Sequence, residues 1–319
     1  VVTVVVGVGY IGSRLVQELL YQGREVVGVD NLFSSDRRAI DAFRQLPGFR
    51  FVEGSILDPS VLDAALTGTG DVDALFLLAA QSSGHPDAAP PELTELVNLQ
   101  GPRLVLDRLA RQRFSAPIVF ASSSRVYGSP LPPVVSENTP YGRFTDLSHL
   151  SKCYVEKLLE MYAWRDRLTC ASVRIGLTYG IAPVMKTDRR FMTAPNLFCW
   201  QVARGDKVTV RSTEAVGLAH VEDVARGLLL VGDRSTEPGY DVFNLAPQVA
   251  TIGEIARAVV ELAEARELAP IDVELVGPGL VEEPSPVIAS RLTDLGFTAR
   301  RSLRDGLAET LDHFLVHGQ

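Results

Sequence analysis

The stretch that decides the fold is Val1-Val2-Thr3-Val4-Val5-Val6-Gly7-Val8-Gly9-Tyr10-Ile11-Gly12, followed by Ser13-Arg14-Leu15-Val16-Gln17-Glu18-Leu19-Leu20. The opening six residues are apolar or β-branched without alternation, the mark of a strand covered on both faces. They run straight into G-x-G-x-x-G, after which Leu15, Val16, Leu19 and Leu20 repeat at helical spacing. Glycine at 7 and 9 lets the backbone turn tightly and approach a pyrophosphate; glycine at 12 lets helix and strand pack closely. The helix start offers unpaired N–H groups and a positive dipole end to the phosphates. Gly7, Gly9, Tyr10, Ile11 and Gly12 are therefore the expected cradle. A tight turn without ligand is the competing explanation, and the strand–loop–helix setting argues against it.

Asp30 ends the next apolar run, 18 residues beyond Gly12. A carboxylate there accepts from the adenosine ribose hydroxyls and repels a 2′-phosphate, which favours NADH. Arg37 and Arg38 follow and leave NADPH open; a solvated helix face explains them equally well. Asp58, in Gly54-Ser55-Ile56-Leu57-Asp58, is expected at the adenine edge, with capping of the helix from Pro59 as its other role.

Outward from this unit, short apolar runs (Val26–Val29, Phe51–Val52, Ala74–Leu78, Pro117–Phe120, Ala171–Val173) alternate with amphipathic stretches up to about Arg174. That alternation predicts an α/β fold, a doubly wound parallel sheet with ligands at the carboxyl ends of its strands. Residues 1–174 read as a dinucleotide-binding domain. Residues 175–319 read as a smaller substrate-binding lobe, with elements such as Val221–Val231 packing back on the first domain.

Among 319 residues, 46% are apolar and 22% charged, enough for a sizeable core. A formal charge of −8 offers no basic stripe for nucleic acid. No apolar run approaches the ~20 residues that span a bilayer. Val1–Val6 has neither basic flank nor cleavage site, so it does not read as a signal peptide. Cys153, Cys170 and Cys199 have no metal-type spacing and read as reduced packing residues. The expected setting is the cytoplasm, without metal, membrane or nucleic-acid partner.

Further segments carry a resemblance. They are Leu78-Ala79-Ala80-Gln81, Asn98–Gly101, Phe120-Ala121-Ser122-Ser123-Ser124-Arg125-Val126-Tyr127-Gly128, Ser151-Lys152 and His220-Val221-Glu222-Asp223. With the glycine loop they resemble the extended short-chain dehydrogenase/reductases, which include nucleotide-sugar epimerases and dehydratases. In that family the loop is usually G-x-x-G-x-x-G, and its first glycine falls on Val6. The resemblance implies a cofactor wall at Ala79 and Ala80, an active-site edge at Ser82, Ser83 and His85, and a Ser/Thr–Tyr–Lys triad. The hydroxyl member falls on Ser123, where strand-end capping is the alternative, and the lysine on Lys152, holding the nicotinamide ribose.

The tyrosine should stand one helical turn before the lysine, and that position is Ser148. Tyr141 lies too far upstream, and His149 projects about 100° around the helix from Ser148. Relatives that use nucleotide sugars usually carry asparagine where Leu177 stands and arginine where Val216 stands. These changes predict a greasier pocket and poor binding of nucleotide diphosphates. Dehydratases need an Asp-Glu pair where Ser124 and Arg125 lie. Arg125 is a candidate to polarise an oxyanion or to pair with an acidic neighbour; Tyr127 reads as a packed aromatic and Asn98 as structural.

Three functions follow. The leading expectation is an NAD(P)H-dependent ketoreductase acting on an apolar, polyketide-like carbonyl without a tyrosine. The missing tyrosine and greasy pocket also resemble the tyrosine-less ketoreductase type of angucyclinone (simocyclinone) biosynthesis. The others are a nucleotide-sugar epimerase or 4-ketoreductase, and a non-enzymatic NAD(P)-binding protein. The helices around Glu92–Arg111 and Leu147–Trp164 resemble the pair through which relatives dimerise, so a homodimer is expected.

Overall fold

The computed structural model describes residues 1–82, 87–276 and 286–317. Seven strands form one parallel sheet: β1 (Val2–Val6), β2 (Glu25–Asp30), β3 (Phe49–Glu53), β4 (Val72–Leu77), β5 (Ile118–Ser123), β7 (Thr169–Ile175) and β11 (Gly239–Leu245). The short β6 (Val134–Val135) lies outside it. The spatial order is β11-β7-β5-β4-β1-β2-β3, so direction of progression reverses between β1 and β4. That switch point leaves a crevice at the carboxyl ends of the two strands.

Because side chains alternate across a strand, each face of the sheet has its own core. Val5, Phe76, Val119 and Val173 face one side. They meet Leu15, Val16 and Leu19 of α1 (Tyr10–Tyr21) and Ile40 and Phe43 of α2 (Arg37–Arg44). Val4, Val6, Leu75, Leu77 and Phe120 face the other. There they meet α3 (Pro59–Leu66), α5 (Gly101–Arg111) and α6 (Leu147–Asp166). The doubly wound α/β expectation holds.

The expected fourth helix is α4 (Pro91–Glu95), a π turn over Leu96–Gln100, and α5 in unbroken succession. Asn98 sits in the π turn. It accepts from Gln81 N at 2.8 Å and donates to Gln81 O at 2.8 Å and Ser151 Oγ at 3.2 Å, tying helix, β4 loop and α6 together.

Beyond residue 175 the chain does two things. It builds a lobe from β8 (Leu177–Tyr179), β9 (Val208–Val210), β10 (Ala215–His220), β12 (Gln248–Thr251), α7 (Ala194–Ala203), α9 (Ile252–Glu264) and α10 (Leu303–His317). Tyr179, Phe198, Ile255, Val259 and Leu311 fill its core. The lobe edge also pairs β13 (Val273–Leu275) with β9, and β14 (Val287–Ile288) pairs with β6. The chain also returns to the first domain. α8 (Val221–Arg234) places Val224, Leu228 and Val231 in the core beside α1, and β11 extends the large sheet next to β7. The return of Val221–Val231 was expected; the seventh strand was not, because its run Gly239–Leu245 is broken by Asp241 and Asn244.

Candidate functional site

A cleft of about 440 Å³ runs along the switch point, from the glycine loop to the lobe. The three glycines at its floor do different work. Gly7 has φ +102°, and a Cβ there would meet the backbone nitrogen of Ala79. A Cβ on Gly12 would run into the Gly7 carbonyl. Both are demanded by the protein's own packing. A Cβ on Gly9 would meet only Ser35 Oγ at 3.7 Å. Nothing in the chain requires glycine there, so the open space in front of it is a cradle for something else. Gly9 starts α1 without a side-chain cap, leaving the first N–H groups of the helix to that occupant.

Asp30 closes the cradle. Its Oδ2 accepts from Val8 N at 2.7 Å and its Oδ1 from Leu32 N at 2.7 Å, which locks the loop after β2 against the glycine turn. Burial raises its pKa, more than these N–H donors lower it. Ser35 also hydrogen-bonds the carboxylate, which keeps acceptor capacity for a ribose hydroxyl. These residues fit a nicotinamide dinucleotide, whose pyrophosphate would lie at Gly9 and whose ribose at Asp30.

Several expected positions are elsewhere. Asp58 does not line the cleft: it caps α3, accepting from Ser60 N at 2.9 Å, because Pro59 starts a helix whose free N–H groups face it. Gly54, Ser55 and Ile56 line the adenine end instead. Neither Arg37 nor Arg38 reaches the cleft, and Arg37 is held bidentately by Glu53 at 3.0 and 2.6 Å, so the NADPH route through them has no support. Tyr10 contributes its backbone; its phenol points into the lobe, donating to Gly180 O at 2.6 Å and accepting from Asn196 Nδ2 at 3.1 Å. Ser83 and His85 lie outside the described residues.

The remaining candidates come together. Ile11, Ala79, Ala80 and Ser82 line the cleft, as do Ser123, Ser124, Arg125, Ser148, Lys152, Leu177 and Val216. Ser123 also serves the strand end, accepting from Arg125 N at 3.2 Å. Lys152 Nζ donates to Ala121 O at 2.8 Å, and burial lowers its pKa to about 8 although Glu156 opposes this. Arg125 pairs with Glu214 at 2.6 Å, the acidic-neighbour alternative. Tyr127 is a packed aromatic, its hydroxyl donating to Asn244 and accepting from Arg174.

Two ionisable cleft residues were not expected there. His149 lines the cleft beside Ser148, because the cleft is wide enough to take both helix positions. Its Nδ1 is held at 2.5 Å by Asp146, the cap of α6. Lys186 arrives from the loop after β8, which has no readable periodicity. Tyr10 is the only tyrosine among the described cleft residues, and its hydroxyl is committed to the lobe.

Residues 3–246 match the model of the NAD dependent epimerase/dehydratase family. The chain belongs to this family. UDP-glucose 4-epimerase of Erwinia amylovora is 33% identical over 159 residues, covering 49% of this chain and 47% of the relative. The chain thus aligns with about half of that protein. UDP-glucose 4-epimerase of Bacillus subtilis is 26% identical over 95% of this chain and 94% of the relative. Among solved structures, UDP-glucose 4-epimerase of Bifidobacterium longum in complex with NAD+ and UDP superposes with a TM-score of 0.85 at 21% identity, covering 100% and 99% of the two chains. The Thermus thermophilus enzyme in complex with NAD gives 0.80 at 25% identity, covering 98% and 99%. Among the described residues no helix is long and apolar enough to cross a membrane.

Proposed function

We propose that this family member is an NAD(H)-dependent enzyme of nucleotide sugars, a 4-epimerase that starts from NAD+ or a 4-ketoreductase that starts from NADH, working without the usual tyrosine. The relatives carry this reading. UDP-sugar enzymes align over nearly the whole chain, and the cleft joins the glycine loop to the lobe through Ser123 and Lys152. It reverses the order suggested by the site residues alone. NADH is preferred to NADPH because Asp30 faces the cleft while Arg37 is tied to Glu53. When bound, the nicotinamide supplies or accepts a hydride.

The protein's residues do the rest. Ser123 Oγ donates to the oxygen on the reacting carbon, and the Lys152 ammonium lowers the cost of negative charge there. The proton is handled by the groups around Ser148, either a water in the gap left by the smaller side chain or the substrate's own hydroxyl. A serine hydroxyl is far less acidic than a phenol and does not inherit the role.

One observation favours a second reading, the ketoreductase of an apolar, polyketide-like carbonyl. Leu177 and Val216 face the cleft where a diphosphate would need polar anchors. Calorimetry with UDP and TDP on the NADH-saturated protein decides. The first reading expects micromolar dissociation constants. No binding at millimolar concentration, with NADH consumed on a polycyclic ketone, transfers the assignment to the second. Loss of both activities with intact NADH binding would leave a cofactor-binding protein.

A dimer through the α5–α6 face belongs to the same proposal. Leu150, Tyr154 and Met161 of α6 are 48%, 40% and 42% exposed, an apolar surface that a second copy would cover. Light scattering at high concentration should give twice the chain mass; a monomer mass overturns it.

A further inference from the structure

We propose that Lys186 closes over the pyrophosphate of the bound dinucleotide, a phosphate clamp supplied by the C-terminal lobe to the first domain's glycine loop. The proposal rests on the reading that the cleft holds NAD(H).

The chain path places the ammonium. After β8, Gly180 O accepts the Tyr10 hydroxyl, and Ala182 packs against Tyr10 and Val221. Val184 N then donates to Ser13 Oγ at 3.0 Å. The segment is thereby fastened across the first turn of α1, whose free N–H groups face the cradle. Two residues on, Lys186 Nζ reaches Ser82 Oγ at 3.2 Å, on the loop that follows β4. The segment therefore spans the crevice, fastened to α1 through Val184 on one side and reaching the β4 loop through the Lys186 ammonium on the other. The open space in front of Gly9 lies at the foot of the first wall.

Charge accounting points the same way. The cations among the described cleft residues are Arg125, Lys152 and Lys186. Arg125 is spent on Glu214, and Lys152 donates to the Ala121 carbonyl with Glu156 nearby. Among the described residues Lys186 has a serine hydroxyl and no carboxylate partner. Burial lowers its pKa to about 8, with no opposing charge to offset the loss of water. The next charged residues along its loop, Asp188 and Arg190, pair with each other. Asp30, His149 and Tyr10, whose hydroxyl is held by Gly180, are the other titratable groups among the described cleft residues. A half-buried cation whose partner is a neutral hydroxyl is a ready site for an arriving counter-charge, and a ligand pyrophosphate is such a charge. The α1 dipole supplies only about half a unit charge toward it.

Isothermal titration of NADH, ADP-ribose and UDP into the wild type, Lys186→Met and Lys186→Arg tests this. A hydrogen bond to a charged group contributes ~1.5–3 kcal/mol, so Lys186→Met should weaken NADH and ADP-ribose alike by about 10–100-fold. Lys186→Arg should keep most of the affinity. At pH 8 an arriving anion raises the lysine pKa, so the wild type should take up a fraction of a proton on binding. Repeating the titration in buffers of different ionisation enthalpy measures that fraction. Lys152 contributes its own share, so the methionine variant should reduce the uptake rather than abolish it. Its unfolding midpoint should match or exceed the wild type. If Lys186→Met binds NADH as tightly as the wild type with unchanged proton uptake, the clamp is overturned. A loss confined to UDP would overturn it too, giving the lysine to the substrate. A wild type that binds neither NADH nor ADP-ribose would remove the cofactor reading together with the clamp.

Discussion

The two halves of the cleft differ in kind. At the dinucleotide half the positions are fixed by backbone: glycines that only glycine can fill, N–H groups at a helix start, and an aspartate held by two N–H donors. At the substrate half they are fixed by side chains, among them Ser148, Leu177 and Val216, which the proposed reading sets where the resembling family has polar or acidic groups. Backbone geometry tolerates almost no substitution, whereas a side-chain pocket can be relined on the same scaffold. Gly7 and Gly12 hold the strand–loop–helix unit together whatever occupies the cleft, and the side-chain pocket beyond it is the part free to change.

Substitutions sharpen that contrast. The largest effect is expected at Gly12→Val, whose side chain would be driven into the Gly7 carbonyl and which should cost more than ~4 kcal/mol and yield no stable fold. Thermal unfolding or the yield of soluble protein reports it. Next is Ser123→Ala, which removes a donor aimed at developing charge and should lower kcat by ~10²–10³. Ser148→Ala should lose less than about tenfold, well below the ~10²–10⁴ of a general acid. Steady-state kinetics at equal cofactor saturation compares them. A thousandfold loss in Ser148→Ala with unchanged NADH binding would make this serine the working acid and erase the contrast. The smallest effect is expected at Arg38→Ala, which should leave the NADH-to-NADPH preference unchanged within about twofold, since a solvated surface residue away from the site shifts energies by only ~0.5 kcal/mol. Fluorescence titration of the two cofactors checks it.

The same division governs what could be read from the sequence. Strand–helix alternation and the glycine loop follow from local periodicity, so the sheet, α1 and the Asp30 position were all legible. Ser123 and Lys152 were legible through flanking residues that resemble a family. Asp58 was misplaced because a carboxylate before Pro59 satisfies helix capping as well as adenine contact, and the helix took it. Ser55 and Ile56, which do line the cleft, carry no distinguishing chemistry. Lys186 depends on a loop threaded over α1 from about 170 residues away, and β11 on a pairing with β7; neither leaves a local signal. His149 was discounted on a helical-wheel angle, which says how far two side chains diverge but not how wide the facing cleft is.

The central claim is that the space before Gly9 exists for a dinucleotide and not for the fold. Gly9→Val tests it in one experiment, NADH calorimetry beside differential scanning calorimetry. The residue has φ −78°, and an added Cβ meets only Ser35 Oγ. Stability should therefore change by less than ~1 kcal/mol. The wild type should bind NADH while the variant loses at least about a hundredfold in affinity, since a branched side chain would occupy the pyrophosphate path. Equal NADH affinity in the two proteins at equal stability would contradict the account.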